Sequence, residues 1–166
     1  MLIYTCISSH GFGHGSRTAA VLAELHRLRP SWRLVISTGL PASFLATALG
    51  PVPYELRPCR WDVGVIQADA LSSDPLATLA ALERLELDLP DQLVREAAWL
   101  QEQGQPLLVL ADVPPAAALL AQRLGAPLVW PRWTPALSGA LDQPITHADW
   151  RYCQEVIRRR TIQRHP

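Results

Sequence analysis

The sequence predicts an α/β domain, an open parallel sheet with helices on both faces. Three observations predict it. Apolar runs of strand length alternate with segments of helical periodicity, in the order βαβαβ…αβαβ. Residues 107–111 are apolar at every position, as a strand buried on both faces requires. Proline and glycine punctuate the changes of pattern, at Pro30, Gly39, Gly50-Pro51, Gly104 and Gly125.

The first strand is Leu2-Ile3-Tyr4-Thr5-Cys6-Ile7. A glycine loop follows, Ser8-Ser9-His10-Gly11-Phe12-Gly13-His14-Gly15-Ser16-Arg17, leading into a helix over 16–28 with Ser16 near its N-cap. Pro30 stops that helix. A second strand covers 32–37, the turn Thr38-Gly39 follows, and Pro41 suits the first turn of a helix over 41–49. Gly50-Pro51 ends it, and 52–57 is a short third strand. Residues 58–73 read as a loop, long enough to expect a function, and Trp61, Val65 and Ile66 argue against disorder there. Asp74-Pro75 opens a long helical region with Leu76, Leu79, Leu82, Leu85, Leu89 and Leu93 on one repeat. Pro90 is expected to break or kink it, and Gly104 closes it. A fourth strand over 106–111 precedes Asp112-Val113-Pro114-Pro115, a helix over 116–124 and a fifth strand over 126–130. Beyond Pro131 the pattern weakens into loop, with a helix over 147–161 that carries Arg158-Arg159-Arg160. The chain therefore divides into a domain over 1–130 and a tail over 131–166.

Composition narrows the function classes. Fifteen basic residues, all arginine, balance fifteen acidic ones, so the formal net charge is zero. Neither nucleic acid nor a charged membrane surface is expected as a partner. The Arg158-Arg159-Arg160 run reads as a solvated helix end, favourable to the helix dipole. The absence of lysine excludes a Schiff-base lysine and a phosphate loop ending in Gly-Lys-Ser/Thr. Cys6, Cys59 and Cys153 are scattered and odd in number, which fits a reducing compartment better than a disulfide framework. No apolar stretch approaches the roughly 20 residues of a membrane helix. The expectation is a soluble cytoplasmic domain.

In open parallel sheets, ligands bind beyond the carboxyl ends of the strands. Three features fall there: the 8–17 loop, the Thr38-Gly39 turn and Asp112. Gly11, Gly13 and Gly15 offer backbone N–H groups at a helix start, where the dipole favours an anion, although glycines that only permit close packing give the same pattern. The loop begins like a dinucleotide fingerprint, but Ser16 replaces its third glycine. The second strand, ending Ile36-Ser37-Thr38-Gly39, also lacks the ribose-binding acid. No cofactor is expected. His10 and His14 have no third ligand at a fixed spacing, so no metal is expected either. They suit a general base or a hydrogen bond to a hydroxylated substrate, with a solvated loop histidine as the plain alternative. Asp112 can bind hydroxyls, hold an imidazole or cap the next helix.

The stretch His10-Gly11-Phe12-Gly13-His14-Gly15-Ser16-Arg17 resembles the His-Gly-Phe-Gly-His-Ala-x-Arg signature of a group of GT-B-type glycosyltransferase-like proteins. That group includes the N-terminal half of plant L-arabinokinases. A second block, Asp62-Val63-Gly64-Val65-Ile66-Gln67-Ala68-Asp69 continuing to Asp74, resembles the group's Asp-x-Gly-x-x-Gln-x-Asp segment. A third, Leu110-Ala111-Asp112-Val113-Pro114-Pro115, is similar to its Ser-Asp-x-x-Pro segment. After Trp130 the chain departs from the group, with Pro131-Arg132-Trp133-Thr134-Pro135 where Asn-Phe-Ser/Thr-Trp-Asp is usual.

The resemblance implies one Rossmann-like domain, the acceptor-side half of a GT-B fold, with the 131–166 tail in place of the donor-binding half. It implies that a histidine, His14 ahead of His10, takes the proton from an acceptor hydroxyl. Gly11, Gly13, Gly15, Ser16, Arg17, Gln67, Asp69 and Asp112 are the matching substrate-binding positions. Among them Arg17 would meet an acceptor phosphate, and Gln67, Asp69 and Asp112 would meet sugar hydroxyls. The implied function is glycosyl transfer from a nucleotide sugar to a sugar or sugar-phosphate ligand, completed by a separate donor-binding chain or a homodimer partner. The alternatives are a non-catalytic sugar or sugar-phosphate binding module and a truncated remnant without activity. An exposed apolar face around Trp130, Trp133 and Trp150 would mark the remnant.

Overall fold

The expected sheet is present and every strand in it runs the same way. In chain order the strands are β1 (Leu2–Ile7), β2 (Arg33–Thr38), β3 (Glu55–Pro58), β4 (Leu107–Asp112) and β5 (Leu128–Val129). Across the sheet they lie β3-β2-β1-β4-β5, each neighbouring pair parallel. Four helices connect them: α1 (Phe12–Leu28), α2 (Ala42–Leu49), α3 (Pro75–Glu102) and α4 (Ala116–Leu124). The computed structural model describes residues 1–130. The expected 147–161 helix, the Arg158-Arg159-Arg160 run, Cys153, Trp133 and Trp150 lie outside the described residues.

The two-residue period of a strand sends alternate side chains of β1 to opposite faces. Leu2, Tyr4 and Cys6 join Val35, Val109 and Ala111 in a core covered by Leu89, Ala97 and Leu100 of α3 and Leu120 of α4. Ile3 and Ile7 join Leu34, Ile36 and Leu110 in a second core, covered by Ala19 and Leu22 of α1 and Leu45 and Leu49 of α2. Burying each such Leu, Ile or Val side chain contributes about 1.5–3 kcal/mol. Helices therefore cover both faces, and the sheet's ends are left for chemistry. Trp130 is partly buried against the first core rather than standing free.

Four elements differ most from the sequence expectation. Helix α1 starts at Phe12 instead of residue 16, and Gly11 is its N-cap, with no side-chain cap bond. The packing of α1 on α2 explains the early start. Gly15 is buried, and a Cβ there would fall 2.5 Å from the Phe44 ring and 2.7 Å from Leu40. Close helix packing outweighs the propensity cost of about 1 kcal/mol per glycine.

Helix α3 is continuous through Pro90. Leu82, Leu85, Leu89, Gln92, Glu96, Ala97 and Leu100 bury one face of it, whereas Pro90 is exposed. Pro90 has no N–H to give the preceding turn, and from its exposed position the helix continues past it. The helix opens after Asp74 as expected, and Asp74 caps it, its carboxylate accepting the Ala77 N–H at 2.9 Å. Strands β3 and β5 are shorter than expected, because each pairs on one side only and Pro53 and Pro127 bring no N–H to the ladder.

The 59–74 connection is anchored by Trp61, which is 1% exposed. Its indole N–H donates to Ser37 Oγ at 2.8 Å, and its ring meets Tyr4 edge-on with centroids 6.4 Å apart. The Gln92 amide donates to the Arg60 carbonyl at 3.1 Å. Among the described residues no helix is long and apolar enough to cross a membrane.

Candidate functional site

Strands β1 and β4 lie side by side, with Ile7 in register with Asp112. From β1 the chain turns into α1 on one face; the helix after β4 packs on the other. The crevice where two such connections diverge is the usual ligand site of an open α/β sheet. Ser8 and His10 leave β1 there, α1 begins there, and Asp112 ends β4 there.

Because α1 starts at Phe12, His14, Arg17 and Thr18 stand at i, i+3 and i+4 on one helical face. That face meets Asp112, which is 3% exposed. Thr18 donates its hydroxyl to Asp112 Oδ2 at 2.9 Å. Asp112 Oδ1 lies 3.5 Å from both His14 Nδ1 and Arg17 Nη2. Arg17 Nη2 is closer to the imidazole, 2.7 Å from His14 Nδ1. The N-cap of α4 is Pro115, with no side-chain cap bond. Of the three readings of Asp112, the structure therefore realises contact with an imidazole rather than capping.

His10 belongs to a second pair. Its Nδ1 is 2.5 Å from Ser8 Oγ and 3.5 Å from Asp62 Oδ2. Gly64 lies against the ring, and a Cβ at that position would collide with it. The two imidazoles touch edge-on, their centroids 5.3 Å apart. Asp62 is 9% exposed, and neither of its carboxylate oxygens has a hydrogen-bond partner. The 3.5 Å approach of His10 is thus a near contact and not a formed hydrogen bond. A buried carboxylate left in this state is costly, and native proteins keep few of them.

The remaining expected residues are placed differently. Gly11 and Gly13 are exposed at the start of α1, where added side chains would meet nothing. Ser16 is exposed on the helix, and Gly15 serves the contact with α2. Asp69 turns its carboxylate into its own loop, accepting the N–H groups of Leu71 and Ser72 at 2.8 Å each. The hydrogen bond with Ser72, with those backbone donors, holds its carboxyl below the ordinary value. Gln67 forms an antiparallel bridge with Ser73. These two close a turn, while His10, His14, Arg17 and Asp112 converge.

Ser8, Thr18 and Asp62 were not singled out from the sequence. Asp62 opens the second motif block, and Thr18 stands four residues after His14. Both signals become legible once α1 is begun at Phe12 and Trp61 is seen to pin the loop. Burial pushes the Cys6 thiol well up and the Cys59 thiol up to about 11, so neither is a ready nucleophile. Among the described residues no group of three or more His, Cys, Asp or Glu is placed to hold a metal ion.

No protein-family model matches the sequence. The chain is 29% identical over 120 residues to L-arabinokinase of Arabidopsis thaliana, a match over 72% of this chain and 11% of that protein. Among solved structures it superposes on the glycotransferase of kitacinnamycin with a TM-score of 0.50 and 18% identity. That likeness covers 99% of this chain and 36% of the other. A UGT transferase from Siraitia grosvenorii, solved with UDP, gives a TM-score of 0.45 at 13% identity over 78% of this chain and 27% of its own. The chain thus spans little more than a third, or less, of each of these three proteins. The fold is that of a single α/β domain with a five-stranded parallel sheet flanked by helices, similar to those of GT-B glycosyltransferases.

Proposed function

We propose that residues 1–130 form the acceptor side of a glycosyl-transfer site. One observation carries this reading: two imidazoles, each beside a buried carboxylate, meet at the carboxyl ends of β1 and β4. An imidazole oriented by a carboxylate is suited to take a proton from a hydroxyl. The acceptor oxygen loses that proton as it bonds to the anomeric carbon, and the bond from that carbon to the leaving diphosphate breaks. His14 beside Asp112 and His10 beside Asp62 are the two candidate bases. Arg17 is placed for an anionic group on the acceptor. The partial match to L-arabinokinase and the glycosyltransferase-like fold support the sugar assignment.

In this reading the donor sugar is bound by a partner domain, a separate donor-binding chain or a second copy. Gln67 and Asp69 act on sugar hydroxyls only if their turn opens toward the crevice. The odd number of scattered cysteines keeps the cytoplasm as the proposed location.

The test is a calorimetric titration of the protein with pentoses, hexoses, sugar phosphates and nucleotide sugars. His14→Ala, His10→Ala and Arg17→Ala are the controls. Saturable binding of a sugar or sugar phosphate, weakened at least tenfold in a histidine variant, is the expected result. A folded protein that binds none of these overturns the reading.

A further inference from the structure

We infer that the two imidazoles have opposite roles: His10 is the proton acceptor, Asp62 is its positioning residue, and His14 is a hydrogen-bond donor. The inference rests on the acceptor-site reading above and allocates the work within it. It follows from which ring nitrogen can carry a proton.

At His14 the answer comes from Arg17. A guanidinium has only donors, so a ring nitrogen 2.7 Å from Arg17 Nη2 must accept. His14 Nδ1 therefore presents its lone pair, and the neutral ring carries its proton on Nε2. Asp112 Oδ1 lies farther off, 3.5 Å from that nitrogen and from Arg17 Nη2 alike, and Oδ2 is the oxygen that accepts from Thr18 at 2.9 Å, so the guanidinium is the closer partner of Nδ1. In this arrangement the outer nitrogen of His14 donates and cannot take a proton.

At His10 the constraint is reversed. Asp62 is nine-tenths buried and has no hydrogen-bond partner, and His10 Nδ1 is the donor position beside it. Were the Ser8 hydroxyl to donate to Nδ1, a lone pair would face an already unsatisfied carboxylate. A proton on Nδ1 instead donates to Ser8 Oγ, at 2.5 Å, and lies on the side of the Asp62 carboxylate, whose Oδ2 is 3.5 Å away. That leaves the lone pair on Nε2 of His10, the more exposed ring of the two. Gly64 keeps the ring seated, since no side chain intervenes between it and the loop. The pair of outer nitrogens is then one acceptor and one donor. This is complementary to an acceptor hydroxyl that loses its proton to His10 while its oxygen, or a neighbouring one, is held by His14.

Tautomers are read directly from the ring nitrogen shifts of the 15N-labelled protein at pH about 8.5, two units above the ordinary imidazole value, where neutral rings prevail. The expected spectrum has His10 protonated on Nδ1 and His14 protonated on Nε2. Asp62→Asn should shift His10 away from the Nδ1-protonated form and leave His14 unchanged, whereas a merely structural role for Asp62 would move neither. Arg17→Met should release His14 toward the Nδ1-protonated form, which offers a variant that keeps Asp62 intact should Asp62→Asn fold poorly. The opposite assignment in the parent protein, His14 on Nδ1 and His10 on Nε2, overturns the division of roles. It would leave the acceptor-site reading standing with His14 as base. Failure of all sugars and sugar phosphates to bind overturns that reading instead, whatever the tautomers.

Discussion

Two buried carboxylates, Glu96 and Asp62, sit in the same domain under opposite regimes. Glu96, on α3, accepts the Tyr4 hydroxyl at 2.6 Å and a bidentate pair from Arg57 at 2.7 Å each. The Arg57 guanidinium lies over the Trp99 ring, 3.9 Å from its centroid. Burial alone would raise the Glu96 carboxyl, but the Arg57 and Tyr4 hydrogen bonds outweigh it and hold the group below its ordinary value. The same burial, with the neighbouring charge, pushes the Tyr4 hydroxyl far up, so it stays a donor. Asp62 has no formed hydrogen bond at all. One network ties α3 to β1 and β3, and the other is left unfinished at the mouth of the sheet. A completed polar network contributes stability, whereas an incomplete one beside two imidazoles is a place where ligand atoms can supply the missing partners.

The contrast breaks most readily at Glu96. Glu96→Ala strands Arg57 and Tyr4, and the expected loss is about 3 kcal/mol in a urea unfolding midpoint series. A loss under about 1 kcal/mol would mean the network is ornamental and the comparison empty. Asp62→Asn removes a buried, unsatisfied charge at nearly constant volume, so stability should rise, by roughly 1 kcal/mol. A fall as large as that at Glu96 would place both carboxylates in the same class.

Val113 sharpens the point from the backbone side. It directly follows Asp112 and holds φ at 81°, a region unfavourable for a β-branched residue. Val113→Gly should stabilise the fold by about 1 kcal/mol net of glycine's added chain entropy. It should also loosen the orientation of Asp112, read as broader His14 resonances.

The smallest effect expected is on pH dependence. Because the folded Glu96 value is depressed, its contribution is complete above the ordinary glutamate value of 4.5 and is lost as pH falls through the folded value. Glu96→Gln should therefore flatten the acid limb of the stability curve below about pH 4.5. An unchanged limb would show that other groups carry it.

Much of this was legible in the chain. The parallel strands, the boundaries of α4, the start of α3 after Asp74 and the gathering of His10, His14 and Asp112 all follow from apolar runs, capping residues and the geometry of open sheets. Most of what was not legible depended on contacts distant in sequence. Gly15 reads as part of a loop until Leu40 and Phe44 are seen to require it in a helix. Pro90 reads as a break until the buried face of α3 is set against its exposed position. Asp62 reads as one residue of a motif until its burial without a partner is seen. Local propensity predicted each of these segments, and tertiary packing decided them.

The most direct measurement is a titration of the 15N-labelled protein with the sugar and sugar-phosphate panel, following the ring resonances of His10 and His14 beside the Trp61 indole N–H. The account predicts that a saturating ligand moves both imidazole signals together and leaves Trp61, which is pinned to Ser37, unmoved. Saturable binding that leaves both imidazoles unchanged would contradict it, because the ligand would then sit away from the crevice between β1 and β4.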